Sequence, residues 1–326
     1  MTTYKAIYGQ DIQILSSDPS NPTLGQIWYN TSTKKLKGFR AVSGGVWSTG
    51  GNLLNSGSQG GAAAGTYNAA LAFGGGNPSL SPSYVAASQK YNGSSWTNSG
   101  NMNIARGGLA GFGVQTAALG FGGYSSPPFQ YRLNTESYNG SSWSAVPNGN
   151  IPGNKNTAMA YGTQTAGVQS GGGGSPTSQP KTEIWNGSAW TQNPSSLNTP
   201  RTNGTACGIS TAGLVFAGTN APDYTGSTEK FNGSTYSNTG TMGTARYSLA
   251  GFGTQTAAIA AAGGFPANGK TEQFNGSVWA AKNTMGVATY SRRGAGNITN
   301  GLVWGGTQSS RATCEEWNPE DALAIF

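Results

Sequence analysis

Self-similarity is the feature that most limits what this chain can become. An aromatic-Asn-Gly-Ser element recurs at Tyr91, Tyr138, Trp185, Phe231 and Phe274, with an altered copy at Trp317-Asn318-Pro319, at intervals of 47, 47, 46, 43 and 43 residues. A second aromatic follows the first five copies at a fixed offset: Trp96, Trp143, Trp190, Tyr236 and Trp279. Upstream of every copy a short apolar run ends in glycine, from Ala70 to Gly75, Ala118 to Gly123, Val168 to Gly172, Leu214 to Gly218, Ile259 to Gly264 and Leu302 to Gly306. A period of this size marks stacked supersecondary units, each burying its apolar face against the next.

Each unit reads as a four-stranded antiparallel sheet. Asn-Gly between two aromatic-bearing strands predicts a tight hairpin with both turn residues at positive φ. Runs such as Gly253-Thr254-Gln255-Thr256-Ala257 predict another turn one hairpin earlier. First strands such as Gly107 to Gly111 and Asn203 to Cys207 are crowded with small side chains, as strands converging on one axis must be. The density of Gly, Asn, Thr and Pro disfavours helix. The expectation is an all-β, six-bladed propeller over residues 46–318, since radial repetition of such sheets makes propeller blades. The last repeat lacks its fourth strand, and Val46-Trp47-Ser48-Thr49 matches Ser95-Trp96-Thr97-Asn98. The strand around Trp47 is therefore expected to complete the last blade and remove an open edge. Residues 1–45 are expected to form an N-terminal attachment segment with a small β-hairpin, and residues 319–326 a C-terminal tail.

Charge also follows the repeat. Five of the seven glutamates, Glu136, Glu183, Glu229, Glu272 and Glu315, fall two residues before the strand aromatic. Basic residues open the repeats in register at Arg106, Lys155, Arg201 and Arg246. Repeat one has Gln89 and Gly57 at these places; repeat six has Thr289, with Arg292 three residues off. Joint presence in repeats two to five predicts the structural pairs Arg106–Glu136, Lys155–Glu183, Arg201–Glu229 and Arg246–Glu272, because a carboxylate inside a stack of sheets needs a partner. Four copies of one group argue against catalysis by it.

Composition closes other routes. Histidine is absent, which excludes His-based triads and most zinc sites, and the four aspartates are scattered. No metal site or cofactor is expected. Cys207 and Cys314 lie in different repeats and are expected as free, buried thiols. The net charge is +7, but beyond Lys34, Lys35, Lys37 and Arg40 the basic residues are dispersed, so no nucleic acid partner is expected. No apolar run reaches membrane-span length and Met1 to Leu15 has no signal-peptide core, so neither membrane insertion nor classical secretion is expected. Gly264 to Thr271 fits a phosphate-loop pattern, but it leads into a strand where that chemistry needs a helix.

The glycine pair, the aromatic strand and the later Trp resemble the kelch repeat. That resemblance implies a propeller; galactose oxidase shares it, but its copper site uses histidines this chain lacks. Gly25 to Phe39, after Pro19-Ser20-Asn21-Pro22-Thr23, resembles an N-terminal segment of bacteriophage tail-fibre and other virion proteins. The resemblance implies a virion protein that contacts other virion proteins through residues 1–45 and displays its propeller outward. The loops between second and third strands vary, with 14, 13, 11, 11, 8 and 9 residues from the last glycine to the repeat glutamate or Gln89. They carry Tyr84, Tyr124, Phe129, Tyr131 and Arg132, and in repeat four Asp223 and Tyr224, as candidate binding residues. Exposed aromatics on a rigid scaffold suit sugar rings or a protein partner. The expected function is non-enzymatic host-surface binding in a tail or fibre apparatus. The alternatives are a purely architectural capsid decoration or adaptor and, more remotely, a glycan-degrading enzyme.

Overall fold

The computed structural model describes residues 4–5, 11–19, 26–41, 45–55, 60–76, 83–147, 149–153, 155–173, 178–264, 266–307, 310–318 and 321–325. The chain divides into two compact units, Met1–Val46 with Pro319–Phe326, and Trp47–Asn318. Among the described residues no helix is long and apolar enough to cross a membrane.

The smaller unit is one five-stranded sheet: β1 (Tyr4–Lys5), β2 (Asp11–Leu15), β3 (Ile27–Asn30), β4 (Lys35–Ala41) and, at its edge, Asp321–Ile325. β3 and β4 form the hairpin, with Tyr29 opposite Leu36, and β2 runs parallel to β3. Trp28 and Asn30 are buried between the exposed Ile27 and Tyr29. Asp18 gathers this face, accepting hydrogen bonds from Trp28 Nε1 (3.1 Å), Asn30 Nδ2 (2.7 Å) and Lys37 Nζ (2.7 Å). Asn30 Oδ1 in turn accepts the backbone N–H groups of Ser32 and Thr33, both at 3.0 Å, and so shapes the turn. The C-terminal residues depart from the expected tail. Asp321–Ile325 pairs antiparallel with β4, Leu323 opposite Phe39, and occupies backbone groups that β4 would otherwise leave open.

The larger unit is propeller-like: six four-stranded antiparallel sheets, five of them in simple sequence order. Their first strands are Ala62–Thr66, Ala110–Val114, Met159–Thr163, Thr205–Ile209, Ala250–Gly253 and Arg292–Gly296. The sixth sheet takes Val46–Thr49 as its fourth strand, beside Cys314–Asn318. Gly50 and Leu53 extend that pairing, donating their N–H groups to the carbonyls of Cys314 and Ala312, each at 2.9 Å. Neighbouring first strands pack side by side, and Arg292–Gly296 lies beside Ala62–Thr66. Two cavities of about 120 and 130 Å³ are each lined by first-strand residues of all six sheets.

The hairpin turns are looser than the sequence suggests. Tyr91 pairs with Trp96, leaving a four-residue loop in which Gly93 has φ 96° while Asn92 stays out of the left-handed region. Asn92 Oδ1 accepts the N–H groups of Ser94 (3.0 Å) and Ser95 (2.9 Å), and the same cap recurs at Asn139, Asn186, Asn232 and Asn275. The asparagine is there for its side-chain acceptor, which stands in for a backbone carbonyl.

Across each hairpin the two repeat aromatics pack together, from Tyr91–Trp96 at 5.1 Å to Trp317–Trp47 at 5.2 Å between centroids. The outer ring then reaches the preceding sheet. Trp143, Trp190, Trp279 and Trp47 donate their indole N–H to Ser88, Thr135, Thr228 and Thr271 hydroxyls at 2.9–3.0 Å. The Thr182 hydroxyl donates to Tyr236 at 3.1 Å. At the sixth seam the ring is Trp96 and the hydroxyl's place is taken by Cys314, in the same apolar cluster. A thiol is a poor acceptor, and Trp96 Nε1 has no oxygen acceptor among the described residues, only the Cys314 thiol beside it. The turn glutamines add a second clamp: Gln115, Gln164 and Gln255 each donate to two carbonyls of the preceding sheet, at 2.6–3.2 Å.

Candidate functional site

The repeat charges lie inside the sheets. Arg106–Glu136 (2.8 Å), Lys155–Glu183 (2.9 Å), Arg246–Glu272 (3.1 Å) and Arg201–Glu229 are ion pairs whose members are all buried. Repeat six carries a fifth pair that the register excluded: Arg292 reaches Glu315 at 3.1 Å from the start of its strand. The guanidinium thus arrives from three residues further on, while Thr289 uses its hydroxyl to accept Thr307 N–H at 3.1 Å. Gly57 lies outside the described residues. The second carboxylate oxygen ties down the link from the preceding sheet. Glu136, Glu229, Glu272 and Glu315 accept backbone N–H groups of Asn103, Asn198, Gly243 and Gly286, each at 2.7 Å. Gln89 does the same for Leu54 at 2.8 Å, with no cation paired to it among the described residues. Burial lowers the pKa of Lys155 and raises that of Glu183, so this pair is pushed toward neutrality from both sides.

The candidate binding residues form two groups at the end of the sheets where second strands lead to third. In repeats one and two, Tyr84 meets Tyr124 edge-on at 5.2 Å, Tyr124 meets Phe129 at 5.6 Å, and Phe129 meets Tyr131 at 5.2 Å. Tyr124–Ser125 and Gln130–Tyr131 form a miniature hairpin that carries three of these rings. Phe129 is 61% exposed, the most open large apolar side chain among the described residues. Arg132 is held back on the hairpin by donating Nε to Ser125 Oγ at 2.8 Å. In repeat four, Asp223 and Tyr224 belong to a second small hairpin and are exposed. Tyr224 stacks on Tyr247 at 4.8 Å, and Tyr247 lies 6.4 Å from Tyr290. Tyr247 and Tyr290 were missed in the sequence because they lie on links, outside the variable loops that drew attention.

Against the first group a cavity of about 290 Å³ is lined by Tyr84, Tyr124, Thr157, Asn203, Ser248, Ser291, Arg293 and small residues. Its rim is a chain of backbone hydrogen bonds. Gly108, Thr157, Asn203, Ser248 and Ser291 donate in turn to the carbonyls of Gly60, Gly108, Thr157, Asn203 and Ser248, at 2.6–3.0 Å. All six rim residues have left-handed φ, between 50° and 67°. No group of three or more His, Cys, Asp or Glu among the described residues could hold a metal ion. The sequence matches no model of a known protein family, and no curated protein matches it.

Proposed function

We propose that this chain is a non-enzymatic binding protein: a closed six-bladed propeller of kelch-like repeats, carried on a bacteriophage particle in its tail or fibre apparatus, that turns its loop end toward glycan or protein on a host surface. The observation that carries the reading is the run of touching rings Tyr84, Tyr124, Phe129 and Tyr131, with Phe129 left largely in water. Large, stiff aromatic side chains held on a short hairpin bind at little cost in conformational entropy.

Closure is supported by the seam between the sixth sheet and the first, where Trp304 meets Trp96 at 5.2 Å much as Phe73 meets Trp143 at 4.7 Å one seam on. A binding role is favoured over catalysis because the repeat glutamates are committed to buried cations and backbone amides. The virion placement rests on the resemblance of Gly25 to Phe39. The test is binding of the purified chain to host cells and to a glycan array. Phe129→Ala and Tyr131→Ala are expected to weaken binding at least tenfold with an unchanged Tm. Undiminished binding by both variants would overturn the reading. Labelled antibody on intact particles checks the placement.

A further inference from the structure

The cavity at the rim carries an unbalanced charge. The fully buried arginines of the larger unit, Arg106, Arg201, Arg246 and Arg292, each have a glutamate, whereas Arg293 beside them is half-buried on the cavity wall. Arg293 has no ion pair among the described residues. It donates Nε to Gly61 O at 2.5 Å and Nη1 to Arg292 O at 2.9 Å, bonds that fix the guanidinium without neutralising it. Its place in the sheet register belongs to Ala62, Ala110, Met159, Thr205 and Ala250 in the other repeats, so the cation is an intrusion into a position of small or apolar residues. Burial lowers its pKa to about 10, which still leaves it charged at neutral pH.

The rim residues point the same way. Glycine takes the left-handed conformation freely, and the chain uses it at Gly60 and Gly108. At the other four places it holds Thr157, Asn203, Ser248 and Ser291 in that strained conformation, and each is a short polar side chain on the cavity wall. Ala217 and Ala262 hold the same conformation with a methyl alone, so what marks the rim is that all four of its non-glycine residues are polar and line one cavity.

We propose that this cavity binds a single acidic sugar residue, its carboxylate on Arg293, its hydroxyls on Asn203, Ser248 and Ser291, and its ring edge against Tyr84 and Tyr124. This deepens the loop-end reading above and rests on it. One fixed guanidinium suits one carboxylate, which it can meet with paired hydrogen bonds. A cavity near the lower end of the range for small-ligand sites, roughly 300 Å³, suits one ring rather than a chain.

The test is saturation-transfer NMR and calorimetry on the whole chain with glucuronic acid, N-acetylneuraminic acid, glucose, galactose and inorganic phosphate. The expected result is binding of at least one acidic sugar, none of the neutral ones, and a loss of at least tenfold in Arg293→Gln. Because Arg293 also braces Gly61, Ser248→Gly and Asn203→Gly serve as second variants. Both relieve strain, so their Tm is expected to hold or rise while affinity falls several-fold. Equal binding of neutral and acidic sugars, phosphate binding as tightly as either acid, or full affinity in both glycine variants would overturn the proposal. If host cells still bind through Phe129 and Tyr131 while no acidic sugar binds, the acidic-sugar site fails and the loop-end reading stands. If both assays are blank, both fail.

Discussion

Trp96 and Cys314 show how one atom can matter in a repetitive protein. Five seams place an outer ring against a hydroxyl, and the sixth puts sulfur there, leaving a buried indole N–H with no oxygen acceptor among the described residues and only the weakly accepting Cys314 thiol beside it. A buried donor left unpaired costs about 1–3 kcal/mol. Cys314→Ser restores the hydroxyl that Ser88 supplies in repeat one. It is expected to raise stability by about 0.5–1.5 kcal/mol, read as an upward shift of the urea midpoint; a fall would refute this account of the seam. Such details were partly legible in the sequence. The glutamates announced themselves because they recur, and recurrence separates a structural residue from an accident. Arg293 occurs once, in a register position filled elsewhere by alanine, methionine or threonine, so no pattern flagged it. The asparagine caps were read as backbone geometry when their work is done by a side-chain oxygen.

At the scale of the element, five of the six sheets are braced from within by an ion pair, and the braces are not equal. Glu136 accepts from Arg106, from the Asn103 amide and from the Asn103 side chain. Glu136→Gln leaves the Arg106 guanidinium buried beside a neutral amide, and a broken buried pair of this kind costs about 3–5 kcal/mol. Among the described residues Glu183 is bonded to Lys155 alone, and burial already drives both toward their neutral forms. Glu183→Gln is therefore expected to cost less than half as much, and Gln89 shows that repeat one functions with the amide. Parallel urea titrations of the two variants check the ranking; equal losses would contradict it. The fourth strand of the sixth sheet was legible for a different reason. Val46 to Leu53 repeats the pattern around Trp96, and the last repeat visibly lacked that piece. The strand at Asp321–Ile325 was not legible, because it carries no repeat signature and its partner β4 lies at the opposite end of the chain.

For the molecule as a whole, the smaller unit carries a response to acid of its own. There, hydrogen bonds from Lys37, Asn30 and Trp28 lower the pKa of Asp18 from 3.8 to about 2. A carboxylate held below its unfolded value adds stability that is complete above about pH 4 and disappears as pH falls toward 2. The Trp28 indole N–H resonance is expected to lose its dispersion over that interval, and Asp18→Asn is expected to flatten the response; an unaltered profile in the variant would rule Asp18 out as the cause. The larger unit was readable in outline because its period is long, its aromatics are in register and its glycines punctuate every strand. Strand exchange between the chain ends has a consequence for biogenesis. Val46–Thr49 emerges from the ribosome well before the strand it must pair with, Cys314–Asn318, and β4 waits for Asp321–Ile325. The sixth sheet lacks a strand until translation has passed residue 318 and the five-stranded sheet until it has passed residue 325, so a nascent chain must keep both edges out of unwanted pairings for nearly the whole of its synthesis.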